Sequence, residues 1–412
     1  SNFFAIGMDG GSNIEVVNKS GGSYNMALET TASYRDHGAW YHVCALIDTT
    51  QSTEANRVKL YINGTQVTSF QTETYPSQND DLKMNSNSQT ARISPSQNRG
   101  HGYLAEFVAI DGTVKVIGDF GEFNEDSPTI WQPKDVSDLS GDKGVNGFYL
   151  DFEDSSALGN CAFGGTDFTV SNLAAADQAT DSPTNNFAVL NPLDNVIAGT
   201  DIVYTEGNCN MVAVVDTLGM SQSTLAASSG KWYAEFKVTA VGDNLSGGRT
   251  SVGVGSRNNA QISGGGYYGN TSSPIDSYGK VSWAASYASN DGGTTSYGST
   301  FVDDDIIGVY LDLDNNKLYF SENGTLYSTT GIDITAAAST QNGHYHIGVS
   351  EASSNDNTSC AANYGGCPGF AISSSNSDDN GYGSFEYSPN ITGDGSAKSF
   401  YALCTKNLAE FG

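Results

Sequence analysis

Two aspartates, Asp312 and Asp314, alternate onto one face of an extended stretch, and Glu322 follows downstream. Carboxylates about 5 to 10 Å apart across a sugar-binding cleft are what glycoside hydrolysis requires. Asp151, Glu153 and Asp154 form a second acidic strand end. His344 and His346 share a strand face and could offer two metal ligands; no third ligand stands at a useful spacing, and a strand pair that is partly core explains them. Nucleophilic catalysis has less support, because there is no Gly-x-Ser-x-Gly elbow and the five histidines leave a base scarce. Without a Gly-x-x-x-x-Gly-Lys-Ser/Thr loop, nucleotide hydrolysis has none.

Six cysteines are too few to scaffold a chain this long with disulfides. Cys44, Cys161, Cys209 and Cys404 are scattered and read as buried thiols. Cys360 and Cys367 flank a short polar loop and are the pair that could close it with a disulfide. A structural zinc site is not expected, since neither a Cys-x-x-Cys pair nor neighbouring histidines accompany them.

Binding is easier to motivate than bond breaking. The region Gly264-Gly-Gly-Tyr-Tyr-Gly-Asn270 and its continuation set Tyr267, Tyr268, Tyr278, Trp283 and Tyr287 among small polar residues. Rings in such surroundings suit stacking on sugars or on a polar protein epitope. The competing reading is that Tyr278 and Trp283 simply pack between sheets. These five are the candidate ligand-binding residues, with no catalytic residue and no metal ligand expected.

The elements that would carry them are strands. Long runs of Leu, Glu, Lys and Ala at helical spacing are missing, whereas 48 glycines and plentiful Ser, Thr and Asn supply turns. Gly38 to Asp48 alternates with period two. Arg57-Val-Lys-Leu-Tyr-Ile-Asn63-Gly64-Thr then runs into an Asn-Gly pair, which tolerates the positive φ angles of a type I′ hairpin turn. The second half repeats the arrangement with Gly230-Lys-Trp-Tyr-Ala-Glu-Phe-Lys-Val238 and Lys317-Leu-Tyr-Phe-Ser-Glu-Asn323-Gly324-Thr. Two related β-sandwiches explain this more economically than one large fold. Between them, Asn172 to about Thr200 is broken by prolines and small polar residues, and the connection is placed there.

At 412 residues the chain exceeds what one core organises, and 22 Tyr with 18 Phe supply enough apolar surface for two. The net charge of −28 repels phosphate backbones and anionic lipid, so nucleic acid and membrane surfaces are poor partners. No stretch of about 18 apolar residues exists to insert in a membrane. The opening Ser-Asn-Phe-Phe-Ala-Ile-Gly-Met lacks the basic region and cleavage site of a signal peptide. Asn-x-Ser/Thr sequons at Asn63, Asn244, Asn270 and Asn323 carry little information, the first and last being explained by turn geometry.

The first half resembles the laminin-G-like, concanavalin-fold modules of marine bacteriophage tail-fibre and virion proteins. The matching stretches, in order, are Tyr34 to Val43, Arg57 to Gly64, Gly102 to Gly112, Phe120-Gly-Glu-Phe123, Ile130-Trp-Gln-Pro-Lys134 and Gly147 to Phe152. The second half is similar to SPRY domains through Ser229 to Phe236, Ser251-Val-Gly-Val-Gly255, Asp305 to Gly324 and Asn363-Tyr-Gly365. The SPRY likeness accounts for Asp312-Leu-Asp-Asn-Asn316 as a strand running into a turn, although it superficially resembles the acidic strand of some glucanases. Laminin-G-like modules often hold calcium at a sandwich rim; Asp303, Asp304 and Asp305 are the loop carboxylates that could serve, though acidic turns are common in so acidic a chain.

The resemblance thus implies an all-β chain of two tandem concanavalin-like jelly-roll sandwiches. The expected division is a laminin-G-like sandwich over 1–172 lacking its first strand or two, a linker over 173–200, a SPRY-like sandwich over 201–404 and a C-terminal tail over 405–412. The expected role is non-enzymatic attachment at a virion surface or outside the cell to host cell-surface polysaccharide or protein. No cofactor is expected unless calcium binds; other virion or fibre subunits and copies of the chain are further partners. Alternatives are a structural spacer or decoration module in a fibre or capsid, and a polysaccharide depolymerase. The chain is expected to be a piece of a longer fibre.

Overall fold

The computed structural model describes residues 2–36, 38–84, 91–93, 102–125, 128–193, 202–213, 220–242, 250–256, 267–269, 276–289, 293–351, 358–392 and 397–412. The chain divides into two compact units, Ser1–Gln178 and Ala179–Gly412.

In the first unit, β1 (Phe3–Met8), β2 (Asn13–Ser20), β3 (Ser23–Ser33), β4 (Val43–Ile47), β5 (Val58–Ile62), β6 (Thr65–Gln66) and β7 (Phe70–Thr74) form two sheets. One has the order β1-β2-β3-β7 and the other β4-β5-β6. Period-two alternation sends Ile14, Val16, Met26 and Leu28 from the first sheet against Val58, Leu60 and Ile62 from the second, and these seven form the buried core. Four short strands follow, β8 (Phe107–Ala109), β9 (Gly121–Phe123), β10 (Trp131–Pro133) and β11 (Phe148–Leu150), as two two-stranded pairs.

The second unit is larger. Its strands are β12 (Ile202–Thr205), β13 (Asn210–Ala213), β14 (Met220–Gln222), β15 (Lys231–Val241), β16 (Thr250–Gly255), β17 (Ser277–Val281), β18 (Ser286–Ser289), β19 (Gly293–Ser296), β20 (Ile306–Asp312), β21 (Lys317–Glu322), β22 (Thr325–Leu326), β23 (Ile332–Asp333), β24 (His346–Glu351), β25 (Thr358–Asn363) and β26 (Tyr401–Ala402). One sheet runs β12-β13-β25-β15-β20-β21-β22, with β23 on β21 and β26 parallel to β15; the other runs β14-β24-β16-β17-β18-β19. Trp232, Phe236, Ile307, Val309 and Phe320 from the first meet Val252, Val254, Ile347 and Val349 from the second in one core.

The two Asn-Gly turns behave alike. Asn63 and Gly64 have φ of 46° and 75°, and Asn323 and Gly324 have 48° and 78°, as a type I′ turn demands. Each asparagine also grips the neighbouring strand. Asn63 Oδ1 accepts from His42 N at 2.8 Å while Asn63 N donates to His42 O at 2.9 Å. Asn323 does the same with Ile306, at 3.0 and 2.8 Å. The repeat read from the sequence is therefore a repeat of hydrogen bonding.

Three details differ from expectation. The segment expected as linker is partly core: Phe187, Ala188, Val189 and Leu190 are buried in the second unit, and Phe187 and Leu190 bridge to Cys404 and Ser223. Four consecutive non-polar residues provide the reason, since leaving them in water forfeits burial energy. The expected tail is helix α1 (Thr405–Phe411), which stacks Phe411 on Tyr401 with ring centroids 4.1 Å apart and buries Asn407. Finally, Cys367 is bonded to Cys209 and not to Cys360, with Cα atoms 6.7 Å apart. Cys360 lies on β25 opposite Val238 and Met211 with its thiol in the core, where burial pushes its pKa up. Proximity in sequence misled because a strand and a loop separate the two side chains' surroundings.

Candidate ligand-binding surface

The five candidate aromatics divide into two groups. Tyr278, on β17, points inward at 5% exposure; its hydroxyl accepts from Thr335 N at 3.0 Å. Tyr287 packs against the same core with its ring edge-on to Tyr297, centroids 5.9 Å apart. Tyr268 is fully buried on the opposite face of the six-stranded sheet. Its N donates to Ser350 Oγ at 2.9 Å, its carbonyl accepts from Ser251 Oγ at 2.8 Å, and its hydroxyl donates to Ser221 O at 3.2 Å. The sheet admits it because Gly348, Gly253 and Gly279 stand side by side on β24, β16 and β17. A Cβ on Gly279 or Gly348 would run into Tyr268. Tyr268 and Tyr278 are thus taken up by the core, and Tyr287 is half-buried against it.

Tyr267 and Trp283 form the second group. Both are half-buried. Their rings meet edge to face, centroids 5.0 Å apart and planes at 88°, the geometry favoured by the aromatic quadrupole. Tyr267 is held by the anchoring of its neighbour Tyr268. Trp283 sits in the turn between β17 and β18, where Ser282 N donates to Thr250 O at 3.0 Å and Ser282 Oγ accepts from Thr250 N at 3.0 Å. The rest of the expected loop, 264–266 and Asn270, lies outside the described residues.

A residue that sequence reasoning missed lies beneath this turn. Lys280, fully buried, donates from Nζ to Val281 O at 3.3 Å, Ala284 O at 3.5 Å and Ser286 O at 3.3 Å. The signal was available: Lys280 has the parity of inward-facing Tyr278 on β17. Glu235 was also missed. Its carboxylate is fully buried and accepts from Tyr387 N (2.7 Å), Glu386 N (2.9 Å), Tyr233 Oη (3.0 Å) and Asn363 Nδ2 (3.0 Å). Burial pushes its pKa up to about 7 against those four donors.

The acidic candidates are engaged in turns. Asp312, 1% exposed, accepts from Asn315 N at 3.0 Å and from Asn315 Nδ2; Asp314 accepts from Gly230 N at 2.8 Å. Glu322 accepts from Ser299 Oγ at 2.7 Å. Asp151 and Asp154 accept from the backbone N of Glu153 and Ser156. Asp303 accepts from Val241 N, Asp304 pairs with Lys237 at 3.2 Å, and Asp305 accepts from Val302 N and Asn323 Nδ2. The last three diverge into separate contacts and do not fit a shared calcium ligand set. His344 and His346 rings lie 5.2 Å apart, and His346 Nδ1 is 2.9 Å from Ser223 O. Among the described residues, no group of three or more His, Cys, Asp or Glu side chains is disposed to hold a metal ion. No helix among them is long and apolar enough to cross a membrane.

Comparison with known proteins agrees with this architecture. Residues 1–111 match the laminin-G-like profile of the concanavalin A-like lectin/glucanases superfamily, and residues 231–337 match the SPRY domain. Similar solved structures include the SPRY domain of human HERC1, with 16% identity over 40% of this chain and 96% of that one and a TM-score of 0.31. A human SPRY domain is similar at 14% identity over 40% and 97%, with a TM-score of 0.29. No curated protein matches the chain. The chain thus carries a laminin-G-like, concanavalin-like domain followed by a SPRY domain, two β-sandwich folds that often serve as binding or adhesion modules.

Proposed function

We propose that this chain is a non-enzymatic adhesion protein of a phage fibre or virion surface, which attaches to host cell-surface glycan or protein through the Tyr267–Trp283 surface of its SPRY unit. The observation that carries the reading is the division of the aromatics. Tyr268 and Tyr278 are buried in the fold and Tyr287 leans on its core, while the edge-to-face pair of Tyr267 and Trp283 stays partly in solvent on a backbone pinned at both ends. A pre-ordered aromatic surface loses little conformational freedom when a ligand docks, which favours affinity. The carboxylates that could have supported hydrolysis are tied into turns, which favours binding over cleavage. The charge of −28 argues for a neutral or cationic ligand surface over a phosphate-rich one.

The test is a glycan array combined with host-cell adsorption, comparing the native chain with Trp283→Ala and Tyr267→Ala. Binding that weakens at least about tenfold in either variant, with an unchanged melting temperature, supports the reading. Native binding that both variants retain would overturn it, as would ordered self-assembly without binding to any cell or glycan. Release of reducing ends from a polysaccharide by the native chain would replace it with the depolymerase reading.

A further inference from the structure

We propose that Lys280 is a positioning residue whose ammonium holds the turn that presents Trp283, so that the recognition surface is set by a cation that never meets the ligand. The inference rests on the preceding reading of Trp283 and adds a means of control to it.

The geometry matches valence to acceptors. An ammonium has three N–H donors, and Lys280 Nζ faces three backbone carbonyls, Val281 O, Ala284 O and Ser286 O, which begin, cross and end the turn containing Trp283. Two rings also stand near it. Nζ lies 4.9 Å from the centroid of Tyr327 and 5.8 Å from that of Phe301, within the range of cation–π attraction. An apolar side chain would fill this space without desolvating a charge, yet it would take the shared donor away from three carbonyls of one short turn, of which Ala284 O would keep the Ser286 N–H at 2.7 Å. A neutral amine would bring two N–H groups and point its lone pair at the third carbonyl.

The groups facing Lys280 leave it as the one expected to change charge in mildly alkaline solution. From β21, Glu322 favours the ammonium; burial opposes it more strongly and brings the pKa down to about 8. Tyr297, beyond β19, is pushed by burial up to about 12, and Tyr327, beyond β22, is also raised by burial. Tyr287 stands opposite Lys280 on β18, and Tyr278 shares its strand.

The test uses the full chain labelled with 5-fluorotryptophan, whose four tryptophans give separate fluorine signals. Trp283→Phe identifies the signal of interest, and pH is raised from 6 to 10. The expected result is a one-proton step near pH 8 in the Trp283 signal, absent in Lys280→Met and absent from the Trp40, Trp131 and Trp232 signals. The native titration needs no substitution, so a poorly folding variant does not block the experiment. A Trp283 signal that stays flat in the native chain, or a step that persists in Lys280→Met, overturns the proposal. If the step appears while Trp283→Ala binds the glycan array as the native chain does, the positioning role stands and the recognition reading falls.

Discussion

Asn363 Nδ2 donates to Glu235 Oε2 at 3.0 Å, across the directly paired positions of β25 and β15. The same carboxylate receives the backbone N–H groups of Glu386 and Tyr387, so one buried charge joins two neighbouring strands to a long C-terminal segment. A network of this kind is costly when one member is removed, because the others stay buried without a partner.

Replacing Glu235 with Gln turns an amide N–H₂ toward one of those backbone donors. Chemical denaturation of the second unit should show a loss of about 1–3 kcal/mol. Conserved stability would mean that the second carboxylate oxygen contributes nothing to the network.

The same residue sets a pH dependence. Its folded-state pKa is raised to about 7 from 4.5, so the folded protein binds the proton more tightly than the unfolded chain. Stability should therefore be greatest below about pH 4.5 for this group and decline as pH rises toward 7, by roughly 3 kcal/mol in total. Denaturation midpoints between pH 4.5 and 7 should fall in the native chain and flatten in Glu235→Gln. Parallel slopes for both proteins would assign the dependence elsewhere.

Tyr267 and Tyr268 are adjacent and should respond oppositely. Tyr268→Ala empties a fully buried ring site over the sheet glycines and should cost about 3–5 kcal/mol in thermal or denaturant unfolding. Tyr267→Ala should leave stability within about 1 kcal/mol, because its ring is half in solvent. Reversed effects would show that the ring facing outward had been misassigned.

Gly64 and Gly324 supply matched tests of the two units. A Cβ on Gly64 would overlap the Trp131 ring, one on Gly324 would lie 2.5 Å from Tyr387 Cδ1, and both backbones are left-handed. Gly64→Ala should lower only the first unit's melting transition and Gly324→Ala only the second's, each by about 2–4 kcal/mol. Calorimetry in which each variant shifts both transitions equally would contradict the division into separate units.

Peptide mapping under non-reducing conditions should recover Cys209 linked to Cys367, with Cys360 unlinked. Cys209→Ala should then cost about 5 kcal/mol by the loop-entropy relation for a 158-residue separation. Recovery of a 360–367 link would refute the pairing.

What was legible in the sequence was whatever depended on local rules. The Asn63-Gly64 and Asn323-Gly324 turns and the Trp232-bearing strand could be read because positive φ and period-two alternation are written in consecutive residues. The partner of Cys367 was not legible, since β13 meets β25 only after the sheet has assembled. The aromatic surface was half legible. Composition marked five rings, but Tyr268 was turned inward over a row of glycines on three strands that come together only in the folded sheet. Lys280 was overlooked because a lysine in a polar-looking stretch reads as solvent-facing, and only the parity with Tyr278 turns it inward.

The Cys209–Cys367 bond makes the intervening chain a closed ring, and that ring contains Lys280 and Trp283. A single proteolytic cut inside it would linearise the ring without releasing either piece. A nicked molecule would keep its mass until reductant was added, so digestion judged on a non-reducing gel would understate how often this surface had been severed.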